Sequence, residues 1–357
     1  MPRILTNKKD LPLPIYLAIK NDSYEPRGDI STTTLIDSPY IRILKKYNTY
    51  EEDASMMIWA LQGQAMHSVL ERVGNSFNGI SFLPEKQLMI KVYSEAAGRY
   101  IEVSGTSDLI EGKEADNFVI QSDEAILHDY KNVSAYVVKA GQSSSSYKKW
   151  TYQLNIYRHM ILLDLSIEIK RIYVHAFIRD WSRLKAVSDK MYPELPVETF
   201  SIPAYSHASI EKYIKHRVEL HFSQENLFLK EGIDAIEPCS PEDRWARPTV
   251  WKIVKVGGKR SIKNFVILSD ADKVRASLFA EEKNSSSKES YIIEVENGID
   301  TRCVEFCPVK SFCKYWKKTY GEKEEGKGIG IGSGGELFDI QESPVEKNKT
   351  PNIDFGF

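Results

Sequence analysis

The sequence predicts a mixed α/β core. Short strand-like segments succeed one another between residues 88 and 131, a long amphipathic helix follows, and a further strand-like run comes after it. Meander strands, a helix and a returning strand are the ingredients of a sheet flanked by helices. Composition agrees. Of 357 residues, 42% are hydrophobic and 27% charged, which is ordinary globular usage with ample apolar material for a core. Wholesale disorder and fibrous structure are excluded. A membrane-spanning chain is excluded too, because no apolar run approaches the ~20 residues a spanning helix needs.

Taken in order, residues 1–30 contain prolines and polar groups and read as an arm. A helix is predicted over Glu51–Val73, where Ile58, Leu61, Ala65, Val69 and Val73 recur on one stripe. Strands are predicted at Leu88–Glu95, Tyr100–Ile110, Phe118–Ile120 and Ala125–Lys131, punctuated by Gly105 and Gly112. Ser143–Ser146 reads as a polar loop. A second helix is expected at Tyr147–Leu165, with Trp150, Leu154, Ile161 and Leu165 on its apolar side, and another strand at Arg171–Ile178. These elements give four expected regions: an arm over 1–30, a core over 31–235, a basic and cysteine-bearing module over 236–320, and an acidic tail over 321–357.

The net charge of −2 is unevenly spread. Residues 321–357 hold eight acids and four bases, so the remainder of the chain carries +2. Within it, Arg244–Lys263 contains seven bases and no acid. Such a run is either a solvated face or a track for phosphates. Lys252, Lys255, Lys259 and Arg260 are its candidate DNA contacts, with Trp245 and Trp251 interleaved as faces on which bases could stack. All four cysteines fall in the last third. The start of the chain is basic but has no continuous apolar core, so no signal peptide is read and a cytoplasmic location is expected. A reducing compartment makes clustered cysteines a candidate metal site rather than disulfides.

Three segments carry the chemistry. Asp129 and Lys131 are two apart on a predicted strand and share a face. Ala125 and Leu127 precede them on that face, so the pair sits where a strand leaves the core rather than in open solvent. Asp108 ends an earlier strand and adds a second carboxylate. Two convergent carboxylates suit Mg²⁺ or Mn²⁺, which lowers the pKa of bound water and neutralises a phosphate in the transition state. A neighbouring lysine positions the attacking water and offsets developing charge. His67 lies opposite the apolar stripe of its helix and is a candidate ligand. Gln153 and Tyr157 are four apart on one helix face. Lys148 and Lys149 stand in that helix's first turn, where lysines, serine hydroxyls and free N–H groups could hold a phosphate.

His67, Gly105-x-x-Asp108, Asp129-x-Lys131 and Gln153-x-x-x-Tyr157 occur in the order seen in RecB-like nucleases of the PD-(D/E)XK superfamily, and the chain resembles them over residues 31–180. The resemblance implies a restriction-endonuclease-like core, a central mixed sheet flanked by helices. It implies that His67, Asp108, Asp129 and the Tyr130 carbonyl bind metal, that Lys131 is the catalytic lysine, and that Gln153 and Tyr157 shape the DNA-side pocket. The segments Ile30–Ile36 and Ile58–His67 look like phage and prophage exonucleases of this group. The implied activity is metal-dependent hydrolysis of DNA phosphodiesters in recombination, repair or replication. The rival is a non-catalytic DNA-binding accessory protein, which has no need of Lys131.

Cys303, Cys307 and Cys313, with Cys239 upstream, supply four thiolates. Zinc favours short paired Cys-x₂-Cys loops. These wider spacings, with Pro308 after Cys307, fit an iron–sulfur cluster better, with zinc as the alternative. Cas-four-type and AddB-type relatives of the RecB-like group carry a 4Fe–4S cluster, with one cysteine before the nuclease core and three after it. Here all four follow it. The tail, with apolar anchors at Glu336–Ile340 and Asn352–Phe357, is a candidate contact for a replication or recombination protein.

Overall fold

The computed structural model describes residues 3–22, 27–114 and 120–321. The chain divides into two compact units. One comprises residues 22–36, 58–226 and 318–357, and the other comprises 1–21, 37–57 and 227–317. The expected layout, an arm over 1–30 and one core over 31–235, divides the chain at other places. Residues Arg3–Thr6 pair in parallel with Tyr50–Asp53, and two four-residue strands acquire a core only by joining a larger body. The tail from 322 onward, and the expected strand start at Phe118, lie outside the described residues.

The first unit is α/β with a mixed central sheet flanked by helices. Its elements are α1 (Ile58–Leu70), β1 (Ile80–Ser94), β2 (Arg99–Glu114), β3 (Ile120–Val133), α2 (Ser145–Leu165), β4 (Ile169–Ile178), β5 (Val197–Ile202) and α3 (His207–Glu231). The sheet runs β1-β2-β3-β4-β5, and the short Ile30–Ser31 strand adds to β2 in parallel. All the other pairings among β1–β5 are antiparallel except β3–β4, which is parallel. The chain makes that crossover through α2, because a parallel return needs a connection long enough to hold a helix.

The core lies between one face of the sheet and α2 and α3. Ile101, Ile110, Leu127, Leu154, Ile161 and Val174 are fully buried in it. Ile210, Ile214 and Val218, four apart, turn one stripe of α3 onto the same cluster. Helix α2 starts where Ser144 accepts a hydrogen bond from the Tyr147 N–H at 3.1 Å and stops at Ser166, whose φ is 57°.

The helix expected over Glu51–Val73 is shorter than the periodicity predicted. Residues Tyr50–Asp53 form a strand, Ala54–Met57 a 3₁₀ turn, and only Ile58 onward is α-helical. The expected apolar stripe is not a core stripe either. No residue of α1 is buried, and Val69 is 51% exposed. An alternative partner, the Arg3–Thr6 strand, captures the acidic start of the segment.

In the second unit, a small sheet of β6 (Thr249–Lys255), β7 (Ser261–Ile267) and β8 (Tyr291–Glu296) is ordered β7-β6-β8 and carries α4 (Asp270–Ser286). A capping box between Ser269 and Asp272 starts α4. The Phe265 and Phe279 rings meet at 5.5 Å between sheet and helix. This whole module sits in the sequence between Cys239 and Cys303.

Candidate metal centre

The strand register brings three carboxylates into one row. Pro84 pairs with Leu109 and Lys86 with Ser107, so Glu85 falls opposite Asp108. Leu109 pairs with His128, so Asp108 in turn falls opposite Asp129. The sheet is opened at this row. Glu85 has a φ of 46°, a left-handed conformation costly for a non-glycine residue. The Tyr130 N–H donates to Asp108 Oδ2 at 2.7 Å instead of to a strand carbonyl. Like charges on neighbouring strands are destabilising, so the row requires positive charge.

Some of that charge is built in. Lys131 Nζ lies 2.9 Å from Asp129 Oδ1 and 2.8 Å from Oδ2. Asp129 is 1% exposed, and its Oδ2 accepts no well-formed hydrogen bond. Burial works to lower the Lys131 pKa, but Asp129 and Asp108 outweigh it and hold the ammonium firmly protonated. His67, on α1, lies 3.2 Å from Glu85 and 3.7 Å from Asp108. Its pKa is raised by the Glu85 hydrogen bond, against burial, with Asp108 adding to the rise.

The compensation is incomplete at Asp108. Burial, then the charge of Asp129, pushes its carboxyl up to about 7 despite Lys131, His67 and the Tyr130 N–H. Ligand atoms of His67, Glu85 and Asp108 all fall within 4.8 Å of one another. One nitrogen and two carboxylate oxygens, with the Lys131-paired Asp129 in the next row position, are a donor set that a hard divalent cation fits. Of the four metal ligands the resemblance implied, His67 and Asp108 thus share one cluster. Asp129 is held by Lys131, and Tyr130 joins through its N–H.

Glu85 was not expected from the sequence. The available signal is weak: Pro84-Glu85 interrupts the strand-like run Ile80–Ser94 with two residue types that strands disfavour.

Gln153 and Tyr157 do meet, with Gln153 Nε2 donating to the Tyr157 hydroxyl at 3.0 Å. Burial pushes the Tyr157 phenol up to about 12. Gly105 explains the glycine of its motif. A Cβ there would lie 2.5 Å from Tyr157 Cε1 and 3.1 Å from Thr32 Oγ1. The absent side chain lets the Tyr157 ring close one wall of the cleft, which Asp108, Glu85, His67 and Glu71 also line. Lys148 and Lys149 sit in the first turn of α2 and are not among the residues lining that cleft.

The four cysteines line a single cavity, with Tyr40, Ile41 and Leu44 of the Pro39–Tyr47 helix and with Trp316. The Trp316 N–H donates to Cys313 Sγ at 3.4 Å, and Cys239 Sγ donates to Ser38 Oγ at 3.3 Å. Arg302 holds both oxygens of Asp37, Arg244 Nε donates to Asp300 at 3.2 Å, and the Arg244 guanidinium lies 4.1 Å from the Tyr315 ring centre. Burial pushes the thiols of Cys239 and Cys303 up to about 12 and raises Cys307. No three of the four sulfurs form a set within 4.8 Å. A tetrahedral zinc at 2.3 Å per bond would draw its sulfurs to about 3.8 Å from one another.

The basic run is less free than its sequence indicated. Lys252 pairs with Glu296 and Lys255 with Glu289, acids supplied by β8 and the turn before it. Strand pairing thus neutralises charge that looked uncompensated along the chain. Lys259 and Arg260 remain in the exposed β6–β7 turn. Trp245 is engaged as well, its ring 5.4 Å from Phe306 and 5.6 Å from the Arg302 guanidinium.

No family model matches the chain, and no curated protein matches it. Among solved structures it is similar to one described as "Crystal structure of SSO0001", at 16% identity and a TM-score of 0.37, over 58% of this chain and 84% of that one. A likeness at that score carries no argument about this chain. Among the described residues no helix is long and apolar enough to cross a membrane.

Proposed function

We propose that the chain is a metal-dependent DNA exonuclease of the RecB-like, PD-(D/E)XK type, with a 4Fe–4S cluster held by Cys239, Cys303, Cys307 and Cys313. The observation that carries the reading is the opened sheet row, where His67, Glu85 and Asp108 converge beside the Asp129–Lys131 pair. Mg²⁺ or Mn²⁺ held there would supply an activated water and charge neutralisation at the phosphate. The chain's own groups do the rest. Asp129 fixes the Lys131 ammonium at the edge of the row, where it can donate to a phosphate oxygen as negative charge develops. The Tyr130 N–H fixes the orientation of Asp108, with His67 beside it, and Tyr157 bounds the space open to the substrate.

The convergence of all four cysteines on one cavity supports the cluster reading, as does the cavity's polar frame. Thiols held neutral by burial need a strongly cationic partner before they can ligate. The Arg302–Asp37 and Arg244–Asp300 pairs brace the segments that present them.

Digestion of end-labelled single- and double-stranded DNA with Mg²⁺, Mn²⁺ or chelator tests the reading. The expected result is metal-dependent loss of nucleotides from an end, absent in Lys131→Ala. Full cleavage by purified Lys131→Ala would overturn it.

A further inference from the structure

Strand β4 carries a second pattern that the metal centre does not use. Its alternate residues Arg171, Tyr173, His175 and Phe177, followed by Arg179, set three rings between two arginines on one face of the sheet. That face is the reverse of the core side, since the intervening Ile172, Val174 and Ala176 are buried. The neighbouring β3 adds two more rings in register, His128 beside Tyr173 and Tyr130 beside His175.

The rings tile rather than pack end-on. His128 Nδ1 and His175 Nε2 are 2.9 Å apart, and the two imidazole planes differ by 16°. They therefore lie edge to edge as one flat surface about the breadth of a base. Tyr173 and Tyr130 flank it at tilts of 30° and 31°. The tautomers are set by the neighbours: Glu111 stands 3.2 Å from His128 Nε2 and Thr199 Oγ1 3.0 Å from His175 Nδ1. One N–H per ring then satisfies the whole chain from Thr199 to Glu111, with both imidazoles neutral. Burial, first, lowers the pKa of both rings. Tyr173, His175, Tyr130 and Phe177 are half-buried, Arg171 and Arg179 are exposed, and Arg179 lies 4.3 Å from the Trp59 ring centre.

We propose that this tiled face is a stacking platform for a single-stranded polynucleotide that feeds the metal centre, a site that deepens the nuclease reading and rests on it. Alternate residues of a strand stand about 6.6 Å apart, so consecutive rings can each meet a base of a strand drawn out of duplex stacking. Arg171 and Arg179 meet phosphates at the two ends. Continuity with the chemistry runs through Tyr130. Its ring meets His67 edge-on at 6.2 Å, and its N–H is bound by Asp108. The alternative is that the rings only stabilise the sheet as cross-strand pairs.

The test uses the full chain in chelator with oligodeoxythymidylate carrying one fluorescent purine analogue, whose emission stacking quenches. Tyr173→Leu keeps apolar bulk but removes the ring. It is expected to weaken binding about five- to fiftyfold and to abolish the quench, while Tyr173→Phe keeps both. Arg171→Gln should reduce the salt dependence of binding by about one phosphate contact. Hydrolysis of bis(p-nitrophenyl) phosphate with Mn²⁺, a substrate too small to reach the platform, should be unchanged in all three. Folded Tyr173→Leu that binds and quenches like the parent would overturn the platform. Binding and quenching through Tyr173 in a chain that hydrolyses neither DNA nor the small ester would keep the platform and overturn the nuclease reading.

Discussion

The opened sheet row and the cysteine cavity confront the same difficulty with different means. Both bury groups that become anionic when they ligate. In the sheet row, Lys131 already supplies positive charge, and Asp108 is pushed up to about 7. In the cavity, two thiols stand at about 12. The first site carries a fixed ammonium beside its carboxylates, whereas the second buries Cys239 and Cys303 with their thiols pushed up. Under the proposed reading, the first would hold an exchangeable catalytic ion and the second a resident cluster.

The largest effect that would break this contrast is at the Asp129–Lys131 pair. Asp129→Asn or Lys131→Ala should reduce DNA cleavage by about 10³-fold or more. Asp129→Ala should also lower stability by about 3–5 kcal/mol, because it strands a buried ammonium. Denaturant melts of the two Asp129 variants separate the catalytic loss from the structural one.

How much of this was legible in the sequence differs between the sites. The pairings of Asp129 with Lys131 and of Gln153 with Tyr157 were readable because strand alternation and helical spacing place them without tertiary knowledge, whereas Asp108 opposite Asp129 rests on register. Strands β1–β4 and α2 were readable for the same reason, whereas β5 and the three strands of the second unit were not. Glu85 was not, since its place opposite Asp108 depends on the hairpin register and on a left-handed backbone that no spacing rule foretells. The start of α1 was misjudged because Arg3–Thr6, far away in sequence, pairs with the segment before it. The pairing of Lys252 and Lys255 with acids of another strand was invisible for a like reason.

The next effect belongs to the cavity. Cys307→Ser should lose iron, about four atoms per chain in protein prepared without oxygen. It should lower the melting temperature by roughly 10 °C, as a loss of several kcal/mol does in a chain of this size. Cleavage of the small ester should largely survive. Stoichiometric zinc with no iron would remove the cluster from the account.

A smaller effect is expected at Gly105. Gly105→Ala puts a methyl into the Tyr157 ring, costing about 1–3 kcal/mol of overpacking, and shifts the cleft wall enough to lower cleavage about tenfold. Tyr157→Leu, which makes room, should recover the stability but not the activity.

The remaining effect is in pH. The folded pKa of Asp108 lies above its unfolded value, so between about 4 and 7 the native state binds the extra proton and metal-free stability falls as pH rises. The raised His67 adds stability at low pH that is likewise lost as pH rises through its folded pKa. Melting temperatures of metal-free protein should therefore decline across this range. Mn²⁺ should remove the decline at its upper end, where Asp108 is free to ligate.

The most direct measurement is a calorimetric titration of Mn²⁺ at about pH 8, where Asp108 is ionised, into the parent chain and into Asp108→Asn. The account predicts saturable binding by the parent and a loss of at least about tenfold in affinity for the variant, with equal iron content in the two proteins. Equal Mn²⁺ affinity in the two proteins would contradict it.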